Sequence, residues 1–311
     1  MSCLILGALG FCGRHLVGRL RQTGVSRLVG ADVLDVPPDG CVLDEYHRVD
    51  IRDFDQVRDV IGDAQPDCIF NLAASASGPA RTIFAVNLMG PIHLLEAVRL
   101  DKPDARVLLV GSAAEYGIVS DSMLPVREDH PCRPVGDYGV SKYSMTLAAL
   151  SYARFHDLRV VVMRPFNIVG PGIPDTLVVG AVIRRVLDAL SRPGDPIVKV
   201  GNLDTQRDFV AVEDVVESYV RAIQADCWGE VFNVCSGTPR TIRSVVEMIV
   251  SRSPRPVKIE VSADLMRSSD IPVLYGSREK AHRCLGFEPR TPLEESLKAA
   301  WDFLGRETDF S

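Results

Sequence analysis

The sequence lacks the cysteine patterns that hold zinc or build a disulfide framework. Its 311 residues include eight cysteines, but these are scattered, with no Cys-x-x-Cys pair and no cluster of cysteine and histidine. We therefore expect buried free thiols, no metal site and a reducing compartment, the cytoplasm.

Positive charge and long apolar runs are also scarce. The net charge of −6 argues against a surface for nucleic acid or for an anionic membrane. We expect no apolar run long enough to span a bilayer. The chain enters Cys3-Leu4-Ile5-Leu6-Gly7 without a basic leader, which indicates a first strand and not a signal peptide. With 46% hydrophobic residues, it can form one large domain or two modest ones.

A glycine-rich loop near the N-terminus predicts a dinucleotide site. Gly7, Gly10 and Gly13 fall between a short apolar run and a segment with apolar residues at helical spacing. Glycines permit a tight turn and close backbone approach, and the unpaired N–H groups at a helix start suit a pyrophosphate. The intervening Phe11 and Cys12 are assigned to the same cofactor site.

Asp32 ends the second predicted strand and bears on the choice of cofactor. A carboxylate there can accept hydrogen bonds from both ribose hydroxyls and would repel a 2′-phosphate, which favours NAD and leaves NADP as the second choice. Two alternatives remain open. Asp32 could simply begin a turn before Pro37-Pro38, and Asp35 is a nearby competitor for the role.

Strands and helices then alternate as far as the middle of the chain. The third predicted strand ends with residues 47–51, the fourth covers residues 66–74 and the fifth covers residues 106–111. A long predicted helix over residues 80–99 carries Asn87. Such alternation predicts an α/β protein with a Rossmann-type, doubly wound parallel sheet that binds ligands at the C-terminal ends of its strands. Small residues at the end of the fourth strand let a cofactor approach, and Ser112, just past the fifth, is expected in the crevice.

Tyr138 and Lys142 are four residues apart, so on a helix they share one face. A free phenol has a pKa of about 10, and a neighbouring ammonium favours the phenolate, which would make Tyr138 a usable general acid or base. The spacing alone is more typical of an exposed tyrosine and lysine, so the assignment depends on the surrounding motifs.

The second half is predicted to form a smaller lobe folded over the open edge of the sheet. Strand-like pieces at 197–200, 207–211, 231–234 and 257–261 alternate with helical segments. Polar residues with loop-like flanks, where binding residues concentrate, are the candidate anchors here. An arginine can hold a diphosphate with paired donors, although each anchor taken singly could be an ordinary surface residue. These anchors are Asn167, Asn202, Arg207, Arg267 and Ser236-Gly237.

Together these features resemble the extended short-chain dehydrogenase/reductase superfamily, in its NAD-dependent epimerase/dehydratase, nucleotide-sugar branch, over essentially the whole chain. The motifs that carry the resemblance are Gly7-x-x-Gly10-x-x-Gly13, Asp50-Ile51, Leu72-Ala73-Ala74, Asn87, Ser112 with Tyr116-Gly117, Tyr138-x-x-x-Lys142, Arg164-Pro165-Phe166-Asn167-x-x-Gly170-Pro171-Gly172 and Arg207-Asp208-Phe209-x-x-Val212-x-Asp214.

The resemblance implies a role for each matching residue. Tyr138 is the catalytic acid or base, Lys142 binds the nicotinamide ribose and lowers the tyrosine pKa, and Ser112 binds the reacting sugar oxygen. The cofactor contacts are Gly7, Gly10, Phe11, Cys12, Gly13, Asp32, Asp50, Ile51, Leu72, Ala73, Ala74, Asn87, Tyr138, Lys142 and Pro165. The substrate contacts are Ser75, Ser112, Asn167, Val179, Asn202, Arg207 and Arg267.

The resemblance also implies an organisation. Residues 1–165 would form the NAD-binding domain. Residues 166–311 would mainly form the nucleotide-sugar lobe, with the chain crossing back to the first domain. A homodimer through the Asn87 and Tyr138 helices is expected.

Departures from the family pattern limit the reaction. Sugar 4,6-dehydratases place carboxylates one or two residues after the catalytic serine or threonine, where this chain has Ala113 and Ala114. Glu115 comes one residue later and is expected to point elsewhere, so dehydration is disfavoured. Asn71 also departs from the pattern, since many relatives have histidine there.

The second half is most similar to GDP-6-deoxy-4-keto-mannose reductases and their GDP-mannose dehydratase relatives. The resemblance therefore implies reduction of the carbon-4 ketone of a GDP-4-keto-6-deoxyhexose. An NAD-dependent 4-epimerase is the alternative, because it uses the same Ser-Tyr-Lys set. A sugar-nucleotide or NAD sensor without turnover remains as a different class. The segments that carry this similarity are 200–209, 232–237, 267–272, 276–277 and 285–289.

Overall fold

The computed structural model describes residues 1–35, 42–266 and 271–308. The predicted substrate residue Arg267 lies outside the described residues. The strands are β1 (Ser2–Leu6), β2 (Arg27–Asp32), β3 (Glu45–Arg48), β4 (Cys68–Asn71), β5 (Arg106–Val110), β6 (Arg159–Pro165), β7 (Asn167–Val169), β8 (Ile197–Val200), β9 (Gln206–Ala211), β10 (Val231–Val234), β11 (Pro239–Thr241), β12 (Lys258–Val261) and β13 (Val273–Leu274). The α-helices are α1 (Phe11–Gln22), α2 (Phe54–Ala64), α3 (Ala80–Phe84), α4 (Gly90–Asp101), α5 (Gly136–His156), α6 (Val178–Leu190), α7 (Val212–Gln224), α8 (Ile242–Val250), α9 (Glu279–Leu285) and α10 (Leu293–Thr308).

A seven-stranded parallel sheet in the order β10-β6-β5-β4-β1-β2-β3 organises the chain. Both of its faces are covered, which explains why its strands are almost continuously apolar. In β5, Leu108 packs into the core beneath α1 and α7, whereas Val107 and Leu109 face the core formed with α2, α4 and α5. The predicted doubly wound fold is confirmed.

The second half of the chain builds a smaller assembly. Strands β11, β9 and β13 form a small sheet, and β7 also pairs with β9. Strands β8 and β12 form a separate two-stranded sheet. Helices α6, α8 and α10 supply its apolar core, which includes Ile183, Val246 and Leu304. From this half, β10 pairs with β6 in the large sheet and α7 packs against α1.

The third strand ends earlier than the sequence predicts. It stops at Arg48 and not near Ile51, because the chain turns at Asp50, whose carboxylate accepts the Arg52 backbone N–H at 3.0 Å. Asp53 then caps α2 by accepting the N–H groups of the first turn. The turn leaves Asp50 and Ile51 beyond the C-terminal end of the sheet.

Two expectations from composition need correction. The helical stretch Ala80–Asp101 is long and apolar enough to span a membrane by length and composition, although 44% of its most apolar window is buried inside the protein. It packs against α2 and α5, which accounts for its apolar character. Thiol burial holds for Cys3, Cys68 and Cys235 but is wrong for Cys284, which is exposed on α9.

Candidate active site

The glycine loop leaves little room between β1 and β4. Gly7 has a φ of +78°, which a residue with a side chain rarely adopts, and a Cβ on it would lie 2.7 Å from the Ala73 nitrogen. A Cβ on Gly13 would lie 2.2 Å from the Gly7 carbonyl oxygen. Helix α1 follows with Gly10 as its N-cap and no side-chain cap, so its first N–H groups face the loop as an anion site requires.

A cavity of about 400 Å³ lies over this loop at the C-terminal ends of the strands. It brings together many of the predicted cofactor residues, with the predicted substrate residue Ser75: Gly7, Gly10, Asp32, Asp50, Ile51, Leu72, Ala73 and Ala74. Val33, Arg52, Thr82 and Val86 also line it and were not predicted. Arg52 directly follows the Asp50-Ile51 motif and Thr82 and Val86 precede Asn87, so closeness to a motif was the available signal.

Phe11 and Cys12 face different surroundings. The Phe11 ring packs against the apolar core of the second half and meets His15 edge-on at 5.6 Å. Cys12 interacts electrostatically with the Tyr138 phenol, and burial raises the pKa of its thiol to about 12. Of these two side chains, Cys12 therefore lies near the proposed catalytic tyrosine.

Asp32 has the geometry of a ribose-binding carboxylate. One oxygen accepts the Leu9 N–H at 3.1 Å and the other accepts the Val33 N–H at 2.8 Å. These two bonds aim the carboxylate along the cavity wall and leave a further lone pair on each oxygen. Its competitor Asp35 pairs instead with Arg48 at 3.1 Å, where both side chains are mostly exposed.

Asn87 connects the cavity to the tyrosine helix. It lies in a π-helical turn, Ala85–Met89, a feature that often marks functional sites, and it is fully buried. Its side chain accepts the Ser75 N–H at 2.8 Å and donates to the Ser75 carbonyl at 2.8 Å and to the Ser141 hydroxyl at 3.0 Å. Ser141 in turn donates to the Tyr138 carbonyl at 2.8 Å. Asn87 therefore connects the backbone of Ser75 on the cavity wall with Ser141, which in turn bonds the backbone of Tyr138.

Ser112, Tyr138 and Lys142 meet beside this network. The Lys142 ammonium is buried and donates to the Val110 carbonyl, at the end of β5, at 2.8 Å. The Ser112 hydroxyl oxygen accepts the Ala114 N–H at 3.1 Å, which leaves its proton free to be donated. Ser112 is also hydrogen-bonded to Tyr138, an interaction that lowers the tyrosine pKa. The three predicted catalytic side chains are thus in one place.

Burial shifts both titratable groups of this set away from their charged forms. The pKa of Tyr138 is raised, because burial outweighs the hydrogen bond to Ser112. Burial likewise lowers the pKa of Lys142 to about 8, against a smaller opposing effect of Glu115. The expectation that the tyrosine pKa is lowered does not hold for the protein by itself, since the ammonium is directed at a backbone carbonyl. At neutral pH the phenol is a proton donor.

Glu115 is turned away from the site, as its position one residue too late predicts. Its side chain has no exposed area and forms an ion pair with Arg164 at 2.7 Å. Ser112, the predicted catalytic serine, is followed instead by the methyl groups of Ala113 and Ala114. No carboxylate at these positions can remove a carbon-bound proton, as elimination requires.

The predicted substrate residues of the second half are hydrogen-bonded or packed within that half. The Asn167 amide donates to the Asp208 carbonyl at 2.8 Å, Asn202 accepts the Asp204 N–H at 3.0 Å, and Arg207 donates to the Gln206 carbonyl at 2.8 Å. Val179 is buried in the core of this half. Ser75 lies on the cavity wall, and Pro165 is buried where β6 pairs with β10.

Known proteins are similar to this chain in sequence along almost their whole length. The chain is 29% identical to GDP-6-deoxy-D-mannose reductase of Pseudomonas aeruginosa, covering 97% of this chain and 98% of that protein. It is 28% identical to GDP-6-deoxy-D-talose 4-dehydrogenase of Aggregatibacter actinomycetemcomitans, covering 93% of each. It is 26% identical to UDP-glucose 4-epimerase of Rhizobium meliloti, covering 98% of this chain and 97% of that protein.

A solved structure is similar to this chain in fold along its whole length. RMD from Pseudomonas aeruginosa complexed with NADPH superposes with a TM-score of 0.84 at 27% identity, covering 99% of this chain and 100% of the other. The family model described as the NAD dependent epimerase/dehydratase family matches residues 3–235. The chain belongs to the NAD dependent epimerase/dehydratase family.

Proposed function

We propose that this protein is an NAD(P)H-dependent reductase that reduces the carbon-4 ketone of a GDP-4-keto-6-deoxyhexose. The observation that carries the proposal is the composition of the site. A serine hydroxyl, a protonated phenol and a buried ammonium lie together near the strand ends, whereas the Glu115 carboxylate, three residues after Ser112, is engaged by Arg164 inside the core. This set can exchange a proton while a hydride moves, and it lacks the base that elimination needs.

The residues divide the reaction between them. The glycine loop and Asp32 would hold the dinucleotide, which would supply the hydride. Ser112 donates a hydrogen bond to the ketone oxygen, without transferring its proton, and so stabilises the negative charge that develops there. Tyr138 gives that oxygen its proton as general acid. Lys142, one turn further along α5, places a positive charge beside the site and is the residue assigned to the nicotinamide ribose.

NAD(H) is the proposed preferred cofactor. Asp32 lines the cavity with unshared lone pairs on both carboxylate oxygens, which suits ribose hydroxyls and repels a 2′-phosphate. NADPH in the P. aeruginosa structure shows that a relative accepts the phosphorylated form. The ratio of kcat/KM for NADH and NADPH measures the preference directly.

The substrate assignment follows the similarity to GDP-6-deoxy-D-mannose reductase of Pseudomonas aeruginosa and the motifs of the second half. The decisive assay gives the purified protein NADH or NADPH, then GDP-4-keto-6-deoxymannose, and follows the loss of reduced cofactor. We expect oxidation of the cofactor only after the keto sugar is added. GDP-mannose without a ketone is the matched control, and turnover of the control in place of the keto sugar would contradict the proposal.

A 4-epimerase is the second candidate, since a UDP-glucose 4-epimerase also matches the chain throughout and Asp32 suits an enzyme that retains NAD. An epimerase would convert a GDP- or UDP-hexose without added cofactor. Protein purified with tightly bound NAD(H) and showing that conversion would favour the epimerase over the reductase. Saturable binding without turnover of any sugar nucleotide would instead favour a sensor.

We propose the following organisation. Residues 1–165 bind the dinucleotide and residues 166–311 bind mainly the nucleotide sugar, with β10 and α7 returning to the first domain. A cytoplasmic homodimer would form through the stretch Ala80–Asp101 and α5, where Met89, Leu147 and Phe155 are exposed. Sedimentation of the purified protein and of Leu147→Glu tests the dimer.

A further inference from the structure

The Glu115 carboxylate joins three segments of the chain, two of which carry the proposed catalytic groups. Its Oε1 accepts the Ser112 N–H at 2.8 Å. Its Oε2 accepts the Thr146 hydroxyl at 2.8 Å and Arg164 Nε at 2.7 Å. Thr146 lies on α5 one turn beyond Lys142, and Arg164 lies on β6 at the edge of the cleft. One buried anion therefore connects the serine, the tyrosine helix and the strand that leads into the second half.

The surroundings are built to hold this carboxylate. A Cβ on Gly111 would lie 2.3 Å from Glu115 Oε1, so glycine is required before Ser112 for the carboxylate to reach the serine N–H. Both Glu115 and Arg164 are almost fully buried. A buried ion pair is weak support for stability in itself, because desolvation opposes the attraction. Because the carboxylate of this ion pair bonds the Ser112 N–H, we infer a role for it other than stability.

We propose that Glu115 is a positioning residue that holds Ser112 in register with the Tyr138–Lys142 helix and controls the proton balance of the pair. This inference rests on the proposed function of Ser112, Tyr138 and Lys142. Glu115 touches neither substrate nor cofactor, so it acts through the serine N–H, through Thr146 and through its charge. Loss of the carboxylate lets the serine turn and α5 shift relative to each other, and misplacement by about 1 Å can lower a rate by about 100-fold.

The charge of Glu115 supplies a readout that a merely structural residue would not affect. It raises the pKa of both Tyr138 and Lys142. The other titratable groups that interact with Tyr138 are the thiol of Cys12 on α1 and the phenol of Tyr219 on α7, and both are neutral at neutral pH. Removing the carboxylate charge should therefore move the alkaline limb of the reduction rate to lower pH, by about 0.5 to 1 unit.

The test compares four variants by steady-state kinetics, pH profile, dinucleotide affinity and thermal unfolding. Glu115→Gln should lower kcat by about 10- to 100-fold, move the alkaline limb to lower pH and leave dinucleotide affinity unchanged. Gly111→Ala, which displaces the carboxylate, should lower kcat in the same way. Thr146→Val, which removes only the link to α5, should lower kcat by about threefold to tenfold.

Tyr116→Phe is the matched control within the same polar cluster. Its hydroxyl bonds Asn233 at 2.7 Å and Arg164 at 3.3 Å but does not contact Glu115 or Ser112. This variant should lower the unfolding temperature while kcat stays within about twofold of wild type. If Glu115→Gln does not fold, Gly111→Ala and Thr146→Val decide the question.

Wild-type kcat and an unshifted pH profile in folded Glu115→Gln, or in both substitute variants, would overturn the inference. An equal loss of kcat in Tyr116→Phe would also overturn it, because the effect would then belong to the whole cluster. Tyr138→Phe separates this inference from the proposed function. If that variant keeps full activity, the catalytic assignment fails; if it is inactive while the Glu115 variants are normal, only the positioning role fails.

Discussion

Replacing Tyr138 by phenylalanine removes one hydroxyl from the centre of the proposed site and little else. The phenol is neutral at neutral pH because its pKa is raised, so the substitution leaves no charge behind. The lost hydrogen bond is the one with Ser112, worth about 1 kcal/mol net. Ser112 keeps the Ala114 N–H and Glu115 as partners. We therefore expect a shift in the free energy of unfolding of about 1 kcal/mol or less.

The catalytic loss should be much larger than the loss of stability. General acid catalysis contributes about 10²- to 10⁴-fold to a rate, or roughly 3 to 5 kcal/mol in the activation free energy. The fall should occur in kcat, with dinucleotide affinity near wild type, because the phenol acts only when the ketone oxygen gains its proton. Titration with NADH and steady-state reduction of the keto sugar measure the two quantities separately. A kcat within about threefold of wild type in a folded variant would refute the assignment of Tyr138 as the acid.

Three further predictions concern the cofactor site and Lys142. Gly13→Ala should abolish dinucleotide binding in a calorimetric titration, since its Cβ would lie 2.2 Å from the Gly7 oxygen; binding at wild-type affinity would contradict the proposed role of the loop. Asp32→Asn should raise kcat/KM for NADPH relative to NADH by about tenfold, a loss of repulsion worth about 1.4 kcal/mol, and an unchanged ratio would remove Asp32 as the determinant. Because burial lowers the pKa of Lys142 from 10.5 to about 8, the unfolded state binds more protons between these values. Wild-type stability should therefore rise between about pH 8 and pH 10.5 by on the order of 3 kcal/mol relative to Lys142→Met, as chemical denaturation at each pH would show. Parallel curves would contradict a depressed pKa.

The fold and much of the candidate site followed from local patterns. A short apolar strand, three spaced glycines and an amphipathic helix leave the chain few choices, because each feature uses the geometry of its own segment. Asp32 and Ser112 were located by counting strands, since the C-terminal ends of parallel strands meet at one edge of a sheet. The Ser-Tyr-Lys set also follows, because a spacing of four residues fixes a helix face.

The direction of individual side chains depended on partners distant in the sequence. Phe11 belongs to the glycine loop, yet its ring packs into the core of the second half. The lysine that was expected to lower the pKa of Tyr138 instead donates to the end of β5, so burial controls the phenol. Arg52 lines the cavity because β3 ends early, at Arg48. The alternation of apolar and polar residues along the sequence does not predict this early end.

The sequence by itself determined the family of folds, the binding loop and the absence of an elimination base after Ser112, because these depend on residue type and spacing. Only the tertiary structure decided what Glu115 does. The position of Glu115, five residues after the end of β5, predicts that it points away from the cleft but not which groups it meets. Arg164 and Thr146, which lie 49 and 31 residues away along the chain, draw it inward, since a buried anion must be paired and hydrogen-bonded. That requirement is met only when the strands and α5 have come together.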